Sequence, residues 1–389
     1  MIKKILQIIL GILTVFLFLI VTATIFNLAK LNLSIDKIYI GAILSLIFVL
    51  FFKKHKVYFI TTIITSLLFI GNNFYENYLI DTSITDYNLS WKSKQHSTTI
   101  PFYTSERNLI FIKGIVNNKI QYLLFDTGAS NPYFKEKFNK KYQFPIYKVN
   151  VNSTDANNIS KKLNIGVLNK LSIGNLNFKD VNNGHFITTS FDNNRQIIVD
   201  SIAGVFSSNL MNSLVWDFNM KNQTIKITDQ KFSEKNIEMI SIPLIEYGTR
   251  WKIDININEK SQKALFDTGA NSILDIKDNF NLPENYNYII ENAPTVTSMH
   301  SNGKDKNIQI GRKIFVDLGI SDTVFKDSYA TDKSHINLIG NPLMWEYERV
   351  VLDFINKRMY LLNKNNSTKT KSISNISEKL RLKLIKKTI

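Results

Sequence analysis

The chain contains the same short stretch twice, and this repeat constrains its fold more than any other feature. The first copy runs from Leu123 to Asn131 and the second from Ala264 to Ser272, and both contain Phe-Asp-Thr-Gly-Ala. In each copy an apolar run leads into a turn with an acid at its mouth, Asp126 in the first and Asp267 in the second. Asp and Gly are common turn formers, so a single copy would indicate only a turn. Two copies in matching contexts indicate that the two acids work as a pair.

A pair of acids in such turns has a specific chemistry. Two carboxyl groups about 3 Å apart cannot both ionise, so they share one proton. The ionised acid accepts a proton from water while the protonated acid donates to a substrate carbonyl. Which of Asp126 and Asp267 carries the proton stays open, because coupled groups titrate as a pair. Gly128 and Gly269 follow at a spacing where a side chain would keep backbone N–H groups away from the carboxylates.

The repeat extends beyond the two turns. Three further pairs of segments match in the same order: 171–178 with 308–315, 202–204 with 338–340, and 215–218 with 351–354. The offset in numbering between the copies is 141 at the acids and 136 at the last pair. A constant order with so small a drift indicates a duplicated domain with altered loops.

Short runs rich in β-branched and aromatic residues predict strands in both copies. Four of them are residues 110–116, 121–125, 215–218 and 224–228, with turns rich in Asn, Lys and Gly between runs. We therefore expect two similar all-β lobes of about 100–135 residues each, a usual size for a domain.

Two Asp-Thr-Gly turns, each after an apolar strand and each followed later by an apolar-apolar-Gly segment, resemble the pepsin-like and retropepsin-like aspartic proteases. The resemblance covers about residues 105–363. It implies a bilobal fold of two β-barrel lobes related by a pseudo-twofold axis, with a peptide or protein substrate in the cleft between them. It also implies flap hairpins, for which 149–159 and 296–308 are the candidates. Because both turns lie on one chain, a monomer is sufficient for the active site.

The resemblance further implies roles for individual residues. Asp126 and Asp267 would be the catalytic pair, which activates water and polarises the scissile carbonyl without a covalent intermediate. Thr127 and Thr268 would reach across and lock the turns together, although Thr is also a β-favouring residue at the entry of a turn. The other supporting residues are Gly128, Ala129, Gly269 and Ala270 in the turns, and Gly204 and Gly340 on strands beneath them. For this last pair the alternative is a glycine at a strand bend.

The residue after each Asp-Thr-Gly predicts a pH dependence. Many pepsin-like enzymes carry Ser or Thr there, whose hydroxyl donates to the carboxylate, whereas this chain has Ala129 and Ala270. Loss of a donor to the charged form raises the pKa of the acid pair. The optimum is therefore expected closer to neutral pH than that of pepsin.

Composition argues against several other classes of protein. The chain has no Cys, and its five His are scattered without a pair at metal-ligand spacing. It has neither a Gly-x-Ser-x-Gly elbow nor a glycine-rich phosphate loop, so no metal and no cofactor are expected. The net charge of +16 lies mostly at the ends, since residues 1–75 contribute +6 and residues 364–389 contribute +7. A nucleic-acid partner is therefore not predicted.

Apolar runs dominate the segment 1–75. Residues 5–26 carry no charge and are long enough to span a bilayer, and two shorter runs cover 38–52 and 57–70. We expect three transmembrane helices, with a cleaved signal peptide as the alternative for the first. Lysines at positions 3, 4, 53, 54 and 56 mark the cytoplasmic side, which places the chain beyond about position 76 outside the cytoplasm. The chain is thus predicted to be an integral protein of the plasma or inner membrane.

The predicted order of domains follows from these features. It is a transmembrane region at 1–75, a linker at 76–104, an N-terminal protease lobe at 105–235, a C-terminal protease lobe at 236–363 and a basic tail at 364–389. The tail either lies on anionic lipid or is solvated. The predicted function is that of a membrane-anchored aspartic endopeptidase. The alternative is a non-catalytic peptide-binding sensor or scaffold, and a transporter is disfavoured because the apolar runs contain no acid or base.

Overall fold

The structure is a computed structural model in which the chain forms two compact units, Met1–Thr82 and Ser83–Ile389. The residues it describes are 2–28, 44–48, 50, 54–84, 88–105, 108–135, 146–154, 160–167, 170–179, 185–189, 202–234, 237–277, 289–294 and 310–364. The predicted basic tail therefore lies outside the described residues, except for position 364.

The first unit is helical. Helix α1 covers Ile2–Leu28 and helix α2 covers Lys56–Ile84. The hydroxyl groups of Thr14 and Tyr58 hydrogen-bond at 2.9 Å and join the two helices. Across the described part of the chain, no helix combines the length and the apolar character needed to cross a membrane. The fold class predicted above, with an α-helical transmembrane segment at its start, is corrected on this point.

The second unit is built from strands. The first twelve are β1 (Asn88–Trp91), β2 (Ser97–Thr104), β3 (Ile110–Val116), β4 (Lys119–Asp126), β5 (Tyr133–Lys135), β6 (Ile146–Thr154), β7 (Ser160–Val167), β8 (Lys170–Ile173), β9 (Leu176–Lys179), β10 (His185–Thr189), β11 (Ile202–Ser207) and β12 (Val215–Asn219). The next twelve are β13 (Thr224–Thr228), β14 (Met239–Pro243), β15 (Ile245–Tyr247), β16 (Arg250–Ile257), β17 (Lys260–Asp267), β18 (Leu274–Lys277), β19 (Ile289–Pro294), β20 (Ile310–Ile320), β21 (Thr323–Ser334), β22 (Leu338–Gly340), β23 (Tyr347–Asp353) and β24 (Arg358–Lys364). Two short helices follow β11 and β22 directly, α3 at Ser208–Met211 and a 3-10 helix at Asn341–Glu346.

These strands form two sheets. The larger has sixteen strands, of which thirteen follow the order β14-β24-β23-β12-β13-β2-β3-β4-β11-β5-β10-β7-β6, while β1, β8 and β9 pair beside this path. The smaller has eight strands in the order β15-β16-β17-β22-β18-β21-β20-β19. The larger sheet joins both halves of the repeat, because β12 of the first half pairs with β23 of the second.

This arrangement corrects the rest of the predicted fold class. Of the residues that the structure describes, 53% lie in strands and 22% in helices, and the strands include a six-stranded barrel, so the fold is mostly β but not all-β. The predicted bilobal fold of two β-barrel lobes is not shown, since one sheet carries strands of both halves of the repeat. Short apolar runs indicate where strands occur, but pairing between strands distant in sequence depends on tertiary contacts.

A buried apolar core supports the two Asp-Thr-Gly turns. Phe125 and Phe266, which precede the two acids, are both 0% exposed. Phe125 packs edge-on against Trp216 with ring centroids 5.1 Å apart, and this tryptophan is also fully buried. Strands ending in such a core hold the residues that follow them in fixed positions.

Candidate active site

The two Asp-Thr-Gly turns occupy equivalent places in the two sheets. Asp126 is the last residue of β4, and β11 runs parallel to that strand with Ser207 opposite the acid. Asp267 is the last residue of β17, and β22 runs parallel to it with Gly340 opposite. Each acid therefore stands at the end of a buried strand that has a parallel neighbour, as the repeat in the sequence indicates.

Thr127 and Thr268 bind the two turns to each other. The Thr127 hydroxyl donates to the carbonyl oxygen of Phe266 at 2.8 Å, and the Thr268 hydroxyl donates to that of Phe125 at 2.8 Å. Each hydroxyl also accepts the backbone N–H of the opposite threonine at 3.0 Å. Both threonines are 0% exposed, so these four bonds are shielded from water. The turns thus form one interlocked unit, although they lie far apart in sequence.

The glycines of the turns face the acids of the opposite turns. A Cβ atom on Gly128 would lie under 3.0 Å from Cγ of Asp267, and one on Gly269 would lie equally close to Cγ of Asp126. No side chain fits at such a distance, so the close approach of the two carboxyl groups requires glycine at both positions. The carboxyl groups themselves hydrogen-bond to each other, which identifies them as a pair that shares a proton.

Backbone donors distinguish the two acids. Oδ1 of Asp126 accepts the N–H of Gly128 at 2.8 Å and that of Ala129 at 2.9 Å. Oδ1 of Asp267 accepts only the N–H of Gly269 at 2.8 Å among the described donors, because the N–H of Ala270 donates to the backbone oxygen of Asp267. Hydrogen bonds to the charged form favour it, so negative charge is better stabilised on Asp126.

The surroundings of the two acids, like the backbone donors, favour negative charge on Asp126 over negative charge on Asp267. Both acids keep part of their surface open to solvent, yet protein atoms enclose their carboxyl groups and the resulting desolvation raises both pKa values. The pKa of Asp267 is raised well above its usual value, because the charge of Asp126 adds to desolvation. The pKa of Asp126 is raised less, because its hydrogen bonds and the charge of Arg250 oppose desolvation. The second backbone donor to Asp126 therefore favours Asp126 as the ionised acid of the pair.

Ala129 and Ala270, which follow the turn glycines, are fixed by backbone contacts. The carbonyl oxygen of Ala129 accepts the backbone N–H and the hydroxyl of Ser208, at 3.0 Å and 2.9 Å. The carbonyl oxygen of Ala270 accepts the N–H of Asn341 at 2.9 Å. Both turns are therefore tied to the start of the short helix that follows the parallel neighbour of each acid's strand.

Gly204 and Gly340 lie on β11 and β22, next to the strands of the acids. A Cβ on Gly204 would lie under 3.0 Å from the carbonyl oxygen of Tyr133, and one on Gly340 would lie equally close to that of Ser272. Close backbone contact therefore explains both glycines.

Two asparagines that the sequence did not single out extend the connection between the halves. The side-chain amide of Asn341 donates to the backbone oxygen of Asn108 at 2.6 Å, and that of Asn212 donates to Thr249 at 2.8 Å. Asn108 and Thr249 are equivalent positions of the repeat, at the same offset as the two acids, so each amide holds the equivalent turn of the opposite half. The repeat offset could have indicated the two turns, but neither asparagine belongs to a recognisable motif.

Two charged residues near the acids were also missed by sequence reasoning. Arg250 begins β16 and acts on Asp126 through its charge. Asp275 lies on β18 and is 2% exposed. At the offset of the two acids their counterparts are Leu109 and Phe134, so an apolar residue replaced by a charged one is the signal that could have found them.

The predicted flap hairpins are described only in part. Strands β6 and β7 pair as a hairpin that follows the first turn in sequence, but its tip at 155–159 lies outside the described residues. The second candidate, 296–308, lies outside them altogether.

Within the described ranges, no group of three or more His, Asp or Glu side chains is placed to hold a metal ion. Comparison of the chain with models of protein families and with curated proteins finds no match.

Proposed function

We propose that the chain is an aspartic endopeptidase that hydrolyses peptide bonds with a water molecule activated by Asp126 and Asp267. The observation that supports this most strongly is the pair of acids held against each other by two interlocked turns, with two backbone donors to Asp126 and one described backbone donor to Asp267. A pair whose environments separate the two pKa values supplies a base and an acid at the same pH.

The division of roles follows from the hydrogen bonds. Asp126, with two backbone donors, is the ionised base and removes a proton from the attacking water. Asp267 carries the shared proton and donates it to the oxygen of the scissile carbonyl as the water oxygen bonds to the carbon. The product of this step is a neutral tetrahedral diol, and the proton lost by water remains on Asp126.

The second step restores the pair. Asp126 gives its proton to the amide nitrogen, the C–N bond breaks, and a hydroxyl of the diol returns a proton to Asp267. One water is consumed, and a carboxylic acid and an amine are released. The interlocked threonines serve this cycle by keeping the two carboxyl groups in register, since catalysis falls steeply when reacting groups are misplaced.

The proposal is tested with the full-length protein and a mixed peptide library between pH 3 and 8, with products identified by mass spectrometry. Cleavage is expected from the wild type and not from Asp126→Asn or Asp267→Asn, which keep the shape of the side chain but remove the acid. Asp254→Asn is the matched control, because Asp254 is exposed on β16 of the same sheet as Asp267.

A wild-type protein that thermal denaturation shows to be folded, but that cuts no peptide at any pH, would contradict the proposal. Binding of library peptides without cleavage would instead support a peptide-binding sensor or scaffold. Cleavage that survives in both variants would show that another group supplies the base.

A further inference from the structure

Asp275 is a buried acid close to the acid pair, and the mechanism above does not use it. It lies on β18, which pairs antiparallel with β22, and β22 pairs in turn with the strand that ends at Asp267. The chain from Asp267 to Asp275 thus curves around β22, where Gly340 touches Ser272. In this arrangement the negative charge of Asp275 raises the pKa of Asp267.

The first half of the repeat has a different residue at this position. Phe134 is the counterpart of Asp275 and is 1% exposed, as a core residue should be. Asp275 is 2% exposed but carries a carboxyl group. A buried acid destabilises a fold unless it is neutral or paired, whereas the aromatic counterpart shows that the position suits an apolar side chain. The acid therefore needs an explanation other than packing.

The hydrogen bonds of Asp275 are incomplete. Its Oδ2 accepts the hydroxyl of Ser272 at 3.0 Å. Its Oδ1 is buried and has no hydrogen-bond partner within the part of the chain that the structure describes. One bond from a serine does not balance the burial of a negative charge, and desolvation raises the pKa of Asp275 to about 7.

Few other charges surround this carboxyl group. Leu338 and Thr331 lie opposite Asp275 on the two neighbouring strands, and neither titrates in the relevant range. The titratable side chains that the structure describes on these strands are Lys260, Lys263 and Asp267 on β17, Lys326, Asp327, Tyr329 and Asp332 on β21, and Lys277 on β18 itself. All but Asp267, Tyr329 and Asp332 are exposed. Of these, Asp267 is the group whose pKa the charge of Asp275 raises.

We propose that Asp275 is a positioning residue of this site, a third carboxyl group whose charge keeps the shared proton on Asp267. The inference rests on the proposed function, because it assigns Asp275 a part in the same reaction. As pH rises through about 7, Asp275 ionises and its charge opposes loss of the proton from Asp267. The general acid then stays protonated to a higher pH than an isolated pair would allow, and activity extends further into the alkaline range.

The test is the pH profile of kcat/KM between pH 4 and 10, measured on the full-length protein with a peptide that the wild type cleaves. Asp275→Asn keeps the shape and the bond from Ser272 but cannot ionise. Its basic limb is expected about one pH unit lower than that of the wild type, because loss of a neighbouring negative charge lowers the pKa of an acid by an amount of this order. Ser272→Ala is expected to shift the basic limb in the same direction but by less. Without the hydroxyl of Ser272 the pKa of Asp275 is higher, so Asp275 ionises at a higher pH.

Asp254→Asn removes an exposed charge from the same sheet and should leave the profile unchanged. A basic limb that does not move in Asp275→Asn would overturn the inference, even if that variant loses activity evenly at all pH values. Absence of any wild-type cleavage would instead contradict the proposed function, so the two failures are distinguishable.

The free energy of unfolding provides a second measurement that needs no substrate. A raised pKa in the folded state means that Asp275 destabilises the fold progressively as pH rises from about 4 towards 7. Asp275→Asn should therefore gain stability over the wild type across this range in denaturant titrations. A difference between the two proteins that is independent of pH would contradict the burial argument.

Discussion

Arg250 adds a positive charge to the backbone donors that favour the ionised form of Asp126. Its counterpart in the first half of the repeat is Leu109, which is 2% exposed, so the cation is present on one side only. The guanidinium stacks over the ring of Tyr247 with its Cζ 4.9 Å from the ring centroid, which restrains it. Its charge lowers the pKa of Asp126 and therefore favours the ionised base.

Arg250→Met should shift the acidic limb of the pH profile to higher pH. Without the cation, the pKa of Asp126 rises and the base becomes protonated at a pH where the wild type is still active. We expect a shift of up to about one pH unit, since Arg250 is only partly buried and solvent screens its charge. Kinetic titration with one peptide substrate measures it.

Lys263→Met is the control for this substitution, because Lys263 is an exposed cation on β17 of the same sheet. It should leave the acidic limb in place. An acidic limb of Arg250→Met that moves to lower pH, or does not move, would show that the charge of Arg250 does not reach Asp126.

Motif residues could be predicted from sequence, while their neighbours could not. The spacing of the two Asp-Thr-Gly copies located the acids, the threonines and the glycines, and the structure brings all of them together. Arg250 acts through space on the acid of the other half and Asp275 on the acid of its own half, and no local pattern marks either residue. Comparing the two halves position by position would have revealed both, because each replaces an apolar residue.

The interlocked turns are the element on which the site depends, and Thr127→Val tests them. The substitution removes the bond to the carbonyl oxygen of Phe266 and leaves the N–H of Thr268 without its acceptor. A buried polar group left unpaired costs about 1–3 kcal/mol, so the free energy of unfolding should fall by at least this amount. Urea denaturation measures the change.

Thr127→Ser is the matched control, since it keeps the hydroxyl and loses only a methyl group. It should retain most of the stability and activity that Thr127→Val loses. Equal losses in the two variants would mean that packing of the methyl group, and not the four hydrogen bonds, holds the turns together.

The bounds of the strands were predicted better than the pairing between strands. β3 and β13 have the predicted bounds, and β4 and β12 extend the predicted runs at one or both ends. Alternation of buried and exposed residues is local information, as in β3, whose even-numbered residues are all buried. The pairing of β12 with β23 joins residues from opposite halves of the repeat, and such long-range contacts leave no local signal.

At the scale of the molecule, one sheet unites the two halves of the repeat. Three of six consecutive strands in it, β2, β13 and β12, precede the predicted boundary at residue 235, and three, β23, β24 and β14, follow it. Arg349 on β23 reinforces this junction. Its guanidinium binds both carboxylate oxygens of Asp217 on β12, at 2.8 and 2.7 Å, and both of Glu234, at 2.8 and 2.7 Å.

Arg349→Met should weaken the junction between the halves at neutral pH. The side chain is 27% exposed, so the loss in the free energy of unfolding is expected at about 1–3 kcal/mol, below that of a fully buried pair. Arg349→Lys should recover part of it, because lysine keeps the charge but not the planar fork that binds two carboxylates.

The contribution of Arg349 should also depend on pH. Arg349 lowers the pKa of Glu234 from its usual 4.5, so this part of the stability is present above that pH and is lost as pH falls below it. The difference between wild type and Arg349→Met in denaturant titrations should therefore shrink between pH 7 and pH 3. A difference that stays constant would assign the effect to packing of the side chain against Phe232 instead of its charge.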